Sequence, residues 1–245
     1  MKRALILYWH GLGDCIMLTP HLRHLYSAGY MTDLMCRPEV RTSKLFDDCP
    51  YVDNLIDAPN PWQAKLGFAP QAKLNIERFQ SMRKDYDWAG ASPHRLHKTV
   101  KGIHKIDMTS QELGLNIKDK RLEVFIPPET DKPIGNSYIF VHRLCEWHPY
   151  HNWDPYQWIK ENLPPLDIVY TDDGGKPKMY DNINKAFELA RCARHRIIAS
   201  SVFVPACDAM GCTIDAINYG RADCKTWPLV QSKVLHIREA GEWIK

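Results

Sequence analysis

Residues 4–9 (ALILYW) are an unbroken apolar run, which predicts a strand covered on both faces of a parallel sheet rather than one with a wet face. The run ends in a glycine-rich turn, His10-Gly11-Leu12-Gly13-Asp14, after which Cys15, Leu18, Leu22 and Leu25 recur at helical spacing. This predicts a helix over 14–28, with Asp14 as its N-cap and Gly29 as its stop. Pro20 lies inside the pattern and is expected to kink the first turns or to delay the regular helix. Residues 31–36 predict a second strand, 41–46 a short helix and 52–56 a third strand. Strand–helix alternation of this kind builds a doubly wound sheet.

The middle of the chain is less regular. Residues 59–70 are rich in turn formers, 73–84 predict a helix, and 86–88 a short strand. Residues 110–115 read as a helix end stopped by Gly114, and 123–126 as a strand closed by Pro127-Pro128. Three prolines and few apolar residues mark 127–137 (PPETDKPIGNS) as the linker. Beyond it the rhythm restarts: strand 138–141, helix 155–162, strand 166–170, helix 182–191, strand 196–199, helix 204–210 and a last strand at 213–218. The helix at 182–191 places Ile183, Ala186, Phe187 and Ala190 on one face. The expected architecture is α/β, with two Rossmann-like domains, 1–130 and 131–245. They are expected to face each other across a cleft, with the ligand at the C-terminal edges of the strands.

Composition narrows the function classes. At 44% hydrophobic and 25% charged the chain is that of a folded globular protein. Its formal net charge of +3 lacks the basic concentration of a dedicated nucleic-acid binder and suits an anionic small ligand equally well. Eight cysteines occur without a CxxC pair, against zinc-ribbon and thioredoxin-type sites. The apolar start is too short for a secretory signal, and no apolar stretch approaches the roughly 20 residues that span a bilayer. The expectation is a reduced, cytoplasmic protein without an integral membrane segment.

The turn at Gly11 to Asp14 is the main candidate for chemistry. Glycines admit a ligand to the backbone, and a helix start presents free N–H groups to an anion. It is neither a phosphate-binding GxxxxGK[ST] loop nor a full GxGxxG, which argues against a nucleotide-dependent oxidoreductase. A tight turn capped by Asp14 explains the same residues. His94, His97 and His104 with Lys98, Lys101 and Lys105 read as a solvated basic face. His142, Cys145, His148 and His151 match no standard zinc spacing, so no metal is expected. Cys207 and Cys212 bracket a helix end and read as packing cysteines, and no nucleophile elbow appears.

The segment from His10 to Tyr30 (HGLGDCIMLTPHLRHLYSAGY) resembles the opening of the glycosyltransferase family that contains the bacterial heptosyltransferases, glycosyltransferase family 9. Gly13-Asp14, Thr19-Pro20 and Leu22 fall on its pattern. Residues 46–56 (FDDCPYVDNLI), Tyr86-Asp87 and residues 111–115 (QELGL) occupy comparable places. The resemblance implies a GT-B fold with an acceptor-side first domain and a donor-side second one. It also implies a metal-independent, inverting transfer of a sugar from a nucleotide-diphosphate-sugar to a hydroxyl, with no cofactor beyond that co-substrate. Asp14 would be the general base, and Gly11 and Gly13 would shape the acceptor-side loop. The acceptor class stays open among a saccharide, a lipid-linked glycan and a modified nucleobase.

In the second half, residues 151–158 (HNWDPYQW) resemble the family's K-x-W-x-x-x-x-[WF] segment, with Asn152 among the residues that replace its phosphate-binding lysine. Arg143 is the candidate for the missing charge, since guanidinium pairs bidentately with phosphate. Residues 197–211 (IIASSVFVPACDAMG) resemble the donor loop, but Ser200, Val202 and Pro205 stand where aspartate, glycine and histidine are expected. Ser200 and Ser201 are donor-side candidates through their hydroxyls, and simple helix capping accounts for them equally. These departures keep a second reading in view: a glycosyltransferase-like binding module that has lost donor chemistry.

Overall fold

A computed structural model describes residues 1–65, 67–92, 104–126, 137–143, 154–173, 176–177, 182–218 and 229–238. The first unit starts with β1 (Lys2–Tyr8), α1 (Leu12–Ser27), β2 (Tyr30–Cys36), α2 (Pro38–Thr42) and β3 (Val52–Asp57). It continues through α3 (Phe68–Met82), β4 (Trp88–Ala91) and α4 (Lys105–Leu113). Among the described residues its strands form one parallel sheet in the order β3-β2-β1-β4. Leu5, Leu7 and Trp9 pack on one face with Met35, Ala58, Ala72 and Phe79. Ala4, Ile6 and Tyr8 alternate with them and are equally buried. Both faces are therefore dry, as the unbroken apolar run requires.

The second unit holds β5 (Tyr138–His142), α5 (Tyr156–Asn162), β6 (Asp167–Tyr170), β7 (Asp172–Asp173) and β8 (Lys176–Pro177). After these come α6 (Ile183–Cys192), β9 (His195–Ala199), α7 (Phe203–Ala209), β10 (Ile214–Asn218) and β11 (Val234–Arg238). A parallel sheet runs β11-β10-β9-β5-β6, and Ile139, Val141, Ile197 and Ala216 pack with Ile159 of α5. The two compact units are Met1–Phe125 and Ile126–Lys245. Of the expected linker, residues 127–136 lie outside the described residues.

Several expected elements are placed differently. The N-cap of α1 is Gly11 rather than Asp14, and no side chain caps it. Asp14 sits inside the first turn, where a carboxylate still favours the helix dipole. Pro20 does not delay the helix, which begins eight residues before it. The proline has no N–H for the Ile16 carbonyl, and the Thr19 hydroxyl takes its place at 2.7 Å. The same hydroxyl accepts from the Glu123 N–H at 3.0 Å. That bond is one reason why 123–126 is not the expected strand: a backbone donor there goes to a side chain instead of a ladder. The short helix begins at Pro38, pre-set at the first helical position, and not at residue 41. The strand at 213–218 is not the last, because β11 follows. Buried Asp208 on α7 steers the chain toward it, accepting from the N–H groups of Val230, Gln231 and Ser232 at 2.8, 2.7 and 2.7 Å.

The Tyr86-Asp87 pair is a structural lock. Tyr86 donates its hydroxyl to buried Asp33 at 2.6 Å, Arg3 pairs with the same carboxylate at 2.6 Å, and Asn54 donates at 2.9 Å. Asp87 accepts from the Arg3 N–H at 2.8 Å. Burial alone would raise the Asp33 carboxyl, but the hydrogen bonds from Tyr86, Asn54 and Arg3 outweigh it and hold the group below its usual range. Gly114 ends α4 in the left-handed region at φ 66°, as a C-terminal stop requires.

Two stability predictions follow from the α1 region. Thr19→Val leaves the Ile16 carbonyl and the Glu123 N–H without a partner and should cost about 2 kcal/mol in urea unfolding. A loss under about 0.5 kcal/mol would mean that both groups find other bonds. His21 is buried and donates to the Ser110 hydroxyl at 2.9 Å, and burial holds its imidazole down at about 4. The unfolded chain binds the proton at its ordinary pKa near 6.5, so stability falls as pH drops between those values, by about 1.4 kcal/mol per pH unit. His21→Phe should remove that component, and an unchanged pH slope would refute it.

Candidate active site

In a doubly wound sheet the ligand-binding edge lies where the strand order reverses. In the first unit β2 and β3 lie on one side of β1 and β4 on the other, so the reversal falls between β1 and β4. The segments that leave these strands carry His10, Gly11 and Asp14 on one side and Ser92 on the other. Asp14 is the third residue of α1, and its carboxylate forms an ion pair with the ammonium of Lys105, the first residue of α4. Their side chains are only 17% and 12% exposed, so the pair is largely shielded from water. Lys105 places a cation at a helix start, where the dipole opposes it, and the Asp14 carboxylate offsets that cost. His104 caps α4, its Nδ1 accepting from the Ile106 N–H at 3.0 Å.

The turn itself is braced from below. The Tyr8 hydroxyl donates to the Asp14 carbonyl at 3.1 Å, and burial pushes that phenol far above its ordinary range, so it stays a donor. Buried His10 donates from Nε2 to the Ser92 carbonyl at 3.0 Å, and the Ser92 hydroxyl donates to the Glu112 carboxylate. Glu112 lies in the 111–115 segment that resembles the family, and its role here is to hold the end of β4 to α4. Gly11 has an extended backbone, and a Cβ built on it would meet only the Asp14 carboxylate, at 3.9 Å. Neither conformation nor crowding within the unit demands glycine there. Gly13 lies within the first turn of α1.

The second unit repeats the logic. Its order reverses between β5 and β9, and Arg143 leaves β5 while Ser200 and Ser201 leave β9. The Arg143 guanidinium lies 4.8 Å from the Tyr170 ring centroid and 3.9 Å from Asp154. Ser200 is buried and its N–H donates to the Asn218 carbonyl at 2.8 Å. The Ser201 hydroxyl accepts from the Phe203 N–H at 3.3 Å, the local contact expected of a residue at a helix start. Asn152 lies outside the described residues, as do His94, His97, Cys145, His148 and His151. His142 is bonded through Nδ1 to the Thr171 hydroxyl at 2.6 Å. Burial raises the thiols of Cys15, Cys36, Cys49, Cys207 and Cys212, which makes them packing groups rather than nucleophiles.

Lys105, Ser92 and Glu112 are the residues that the sequence reading missed. Lys105 was assigned to a solvated basic face, whereas it is the partner of Asp14. No local signal links two residues 91 positions apart.

No protein-family model matches the chain, and no curated protein does. Solved structures do. A family 9 glycosyltransferase from Veillonella parvula superposes with a TM-score of 0.64 at 14% identity, covering 96% of this chain and 86% of that one. The Escherichia coli heptosyltransferase WaaC, solved with ADP-2-deoxy-2-fluoro heptose, gives 0.62 at 14% identity over 95% and 92%. The E. coli ADP-heptose lipopolysaccharide heptosyltransferase II gives 0.56 at 13% over 97% and 93%. Among the described residues no helix is long and apolar enough to cross a membrane.

If the ion pair holds the turn, Asp14→Asn and Lys105→Met should couple by about 1–3 kcal/mol in a double-mutant cycle read by urea unfolding. Coupling within error of zero would remove Lys105 from the account of the site. With its switch-point residues placed and its likeness spread over nearly the whole length, the chain has the α/β fold of the GT-B glycosyltransferases, as seen in family 9 enzymes and heptosyltransferases.

Proposed function

We propose that this chain is a glycosyltransferase that moves a sugar from a nucleotide-diphosphate-sugar to a hydroxyl acceptor, with inversion and without a metal. The observation that carries the reading is the Asp14 carboxylate, oriented by Lys105 at the switch point of the first sheet. In the reaction Asp14 takes the proton of the acceptor hydroxyl as its oxygen bonds to the anomeric carbon from the face opposite the leaving group. The bond from that carbon to the diphosphate oxygen breaks, and its electron pair leaves with the nucleotide diphosphate. Lys105 is a positioning residue: it fixes the carboxylate's orientation so that little reorganisation is needed at the moment of transfer.

Arg143, Asn152, Ser200 and Ser201 are the proposed donor-side residues. The Arg143–Asp154 contact is loose at 3.9 Å, and Asp154 is well exposed, so that contact by itself adds little to hold the guanidinium. Support for a nucleotide-diphosphate donor comes from WaaC, which was solved with ADP and with an ADP-sugar analogue. One observation favours the rival reading of a binding module without transfer. Ser200 is buried and the Ser201 hydroxyl is engaged in capping, which leaves the altered donor loop with fewer groups for phosphate.

The test is a screen of UDP-, GDP- and ADP-sugars by calorimetry, followed by product mass with the donor that binds. Asp14→Ala should lower turnover by about a hundredfold to ten-thousandfold while leaving donor affinity nearly unchanged, in a chain that still folds but unfolds at lower urea because Lys105 has lost its partner. Turnover at the parent rate would overturn the base. Absence of binding to every donor would favour the binding module.

A further inference from the structure

Trp62 and Phe68 are 41% and 43% exposed, large apolar side chains that folding covers only in part. Their ring centroids lie 5.2 Å apart with planes tilted by 53°, forming a corner rather than a flat patch. The Trp62 ring also lies 6.0 Å from that of His10, which adjoins the Gly11–Asp14 turn. Trp62 follows β3 and His10 follows β1, and β2 lies between them, a spacing of about 10 Å at the usual strand separation. The two side chains therefore reach toward each other across the end of β2.

The segment after β3 is held in place. The Arg78 guanidinium donates to the Asp57 carbonyl at 2.7 Å, and the Asn75 amide to the Pro59 carbonyl at 2.9 Å. The Asn60 side chain accepts from the Trp62 N–H at 3.1 Å. Gln71 donates to the Asn75 carbonyl oxygen at 3.0 Å, fixing the amide's orientation. Asn60 and Asn75 are both buried, and Asn75 takes an inward position on α3 beside Ala72 and Phe79. Burying amides is costly unless they are bonded, and here both bond the backbone that presents Trp62. Pro59 and Pro61 stiffen the same stretch. An exposed indole on a pinned backbone loses little entropy when something docks on it.

We infer that Trp62 and Phe68 are the acceptor platform of the site and that they take the C–H face of a saccharide ring. A pyranose presents axial C–H bonds on one face and hydroxyls around its rim. The ring face therefore stacks on an aromatic ring, whose negative face attracts the polarised hydrogens, and the rim hydroxyls stay unengaged by the stack. The choice among acceptor classes thus falls on a glycan. Its role as acceptor rests on the glycosyltransferase reading; its binding at Trp62 does not.

Saturation-transfer NMR on the full chain tests it, with maltotriose, cellotriose and chitotriose as probes and irradiation of the aromatic protons. Transfer to ring C–H protons of at least one probe is expected, with affinity reduced about tenfold in Trp62→Ala and largely kept in Trp62→Phe. If Trp62→Ala does not fold, Phe68→Ala, at the exposed start of α3, carries the test and should weaken the same signal. No transfer to any probe, or transfer undiminished in these alanine variants, overturns the platform. Nucleotide-sugar binding is measured separately by calorimetry. A chain that binds the saccharide through Trp62 but binds no donor would keep this inference and lose the transferase reading.

Discussion

The ion pair between Asp14 and Lys105 joins the starts of two helices, and the chemistry assigned to the first unit depends on it. Asp14 is favourable where it stands, because a carboxylate in the first turn of α1 complements the helix dipole. Lys105 is not, because an ammonium at the start of α4 opposes it. The pair draws on its own attraction in a partly shielded setting, where charge interactions are stronger than in open water. Because Asp14 lies in the first turn of the helix that follows β1, and α4 leads back to β4 through Glu112 and Ser92, one contact fixes the orientation of the turn from both sides of the switch point.

Around that contact, polar groups divide into those that hold the fold and those placed at the sheet edge. Thr19 and Pro20 act as one unit: the proline removes a donor, and the threonine supplies it and carries a second bond to Glu123. Buried Asp33 is the centre of a network with Arg3, Asn54 and Tyr86 that ties β1, β2 and β3 to the start of β4. Asp208 performs a similar service in the second unit by holding the approach to β11. Several residues that carry the resemblance to heptosyltransferases, including Thr19, Tyr86, Asp87 and Glu112, thus have structural work to do. Asp14 differs from them in sitting beside the turn at the ligand-binding edge.

Much of the architecture was legible in the chain. An apolar run such as 4–9 has no polar alternation, so only a strand buried on both faces fits it, and the strand–helix rhythm then implies parallel sheets. Boundaries were less legible where a side chain outside the segment decided them. Asp14 looked like a cap because carboxylates commonly cap helices, yet the helix starts two residues earlier. Residues 123–126 looked like a strand because three of them are apolar and two prolines follow, yet Thr19, more than 100 positions away, takes one of their backbone donors.

The sequence by itself determined the α/β class, the restart of the pattern near residue 138 and the glycine-rich turn that carries Asp14. These follow from periodicity, turn residues and a short motif, all of them local. The tertiary structure alone decided which strand neighbours which, and so where the sheets reverse direction. It also decided that Lys105 is the partner of Asp14 and that the Trp62 ring lies beside that of His10. Such pairings depend on how distant segments meet once their apolar faces are buried, and no spacing along the chain encodes that meeting.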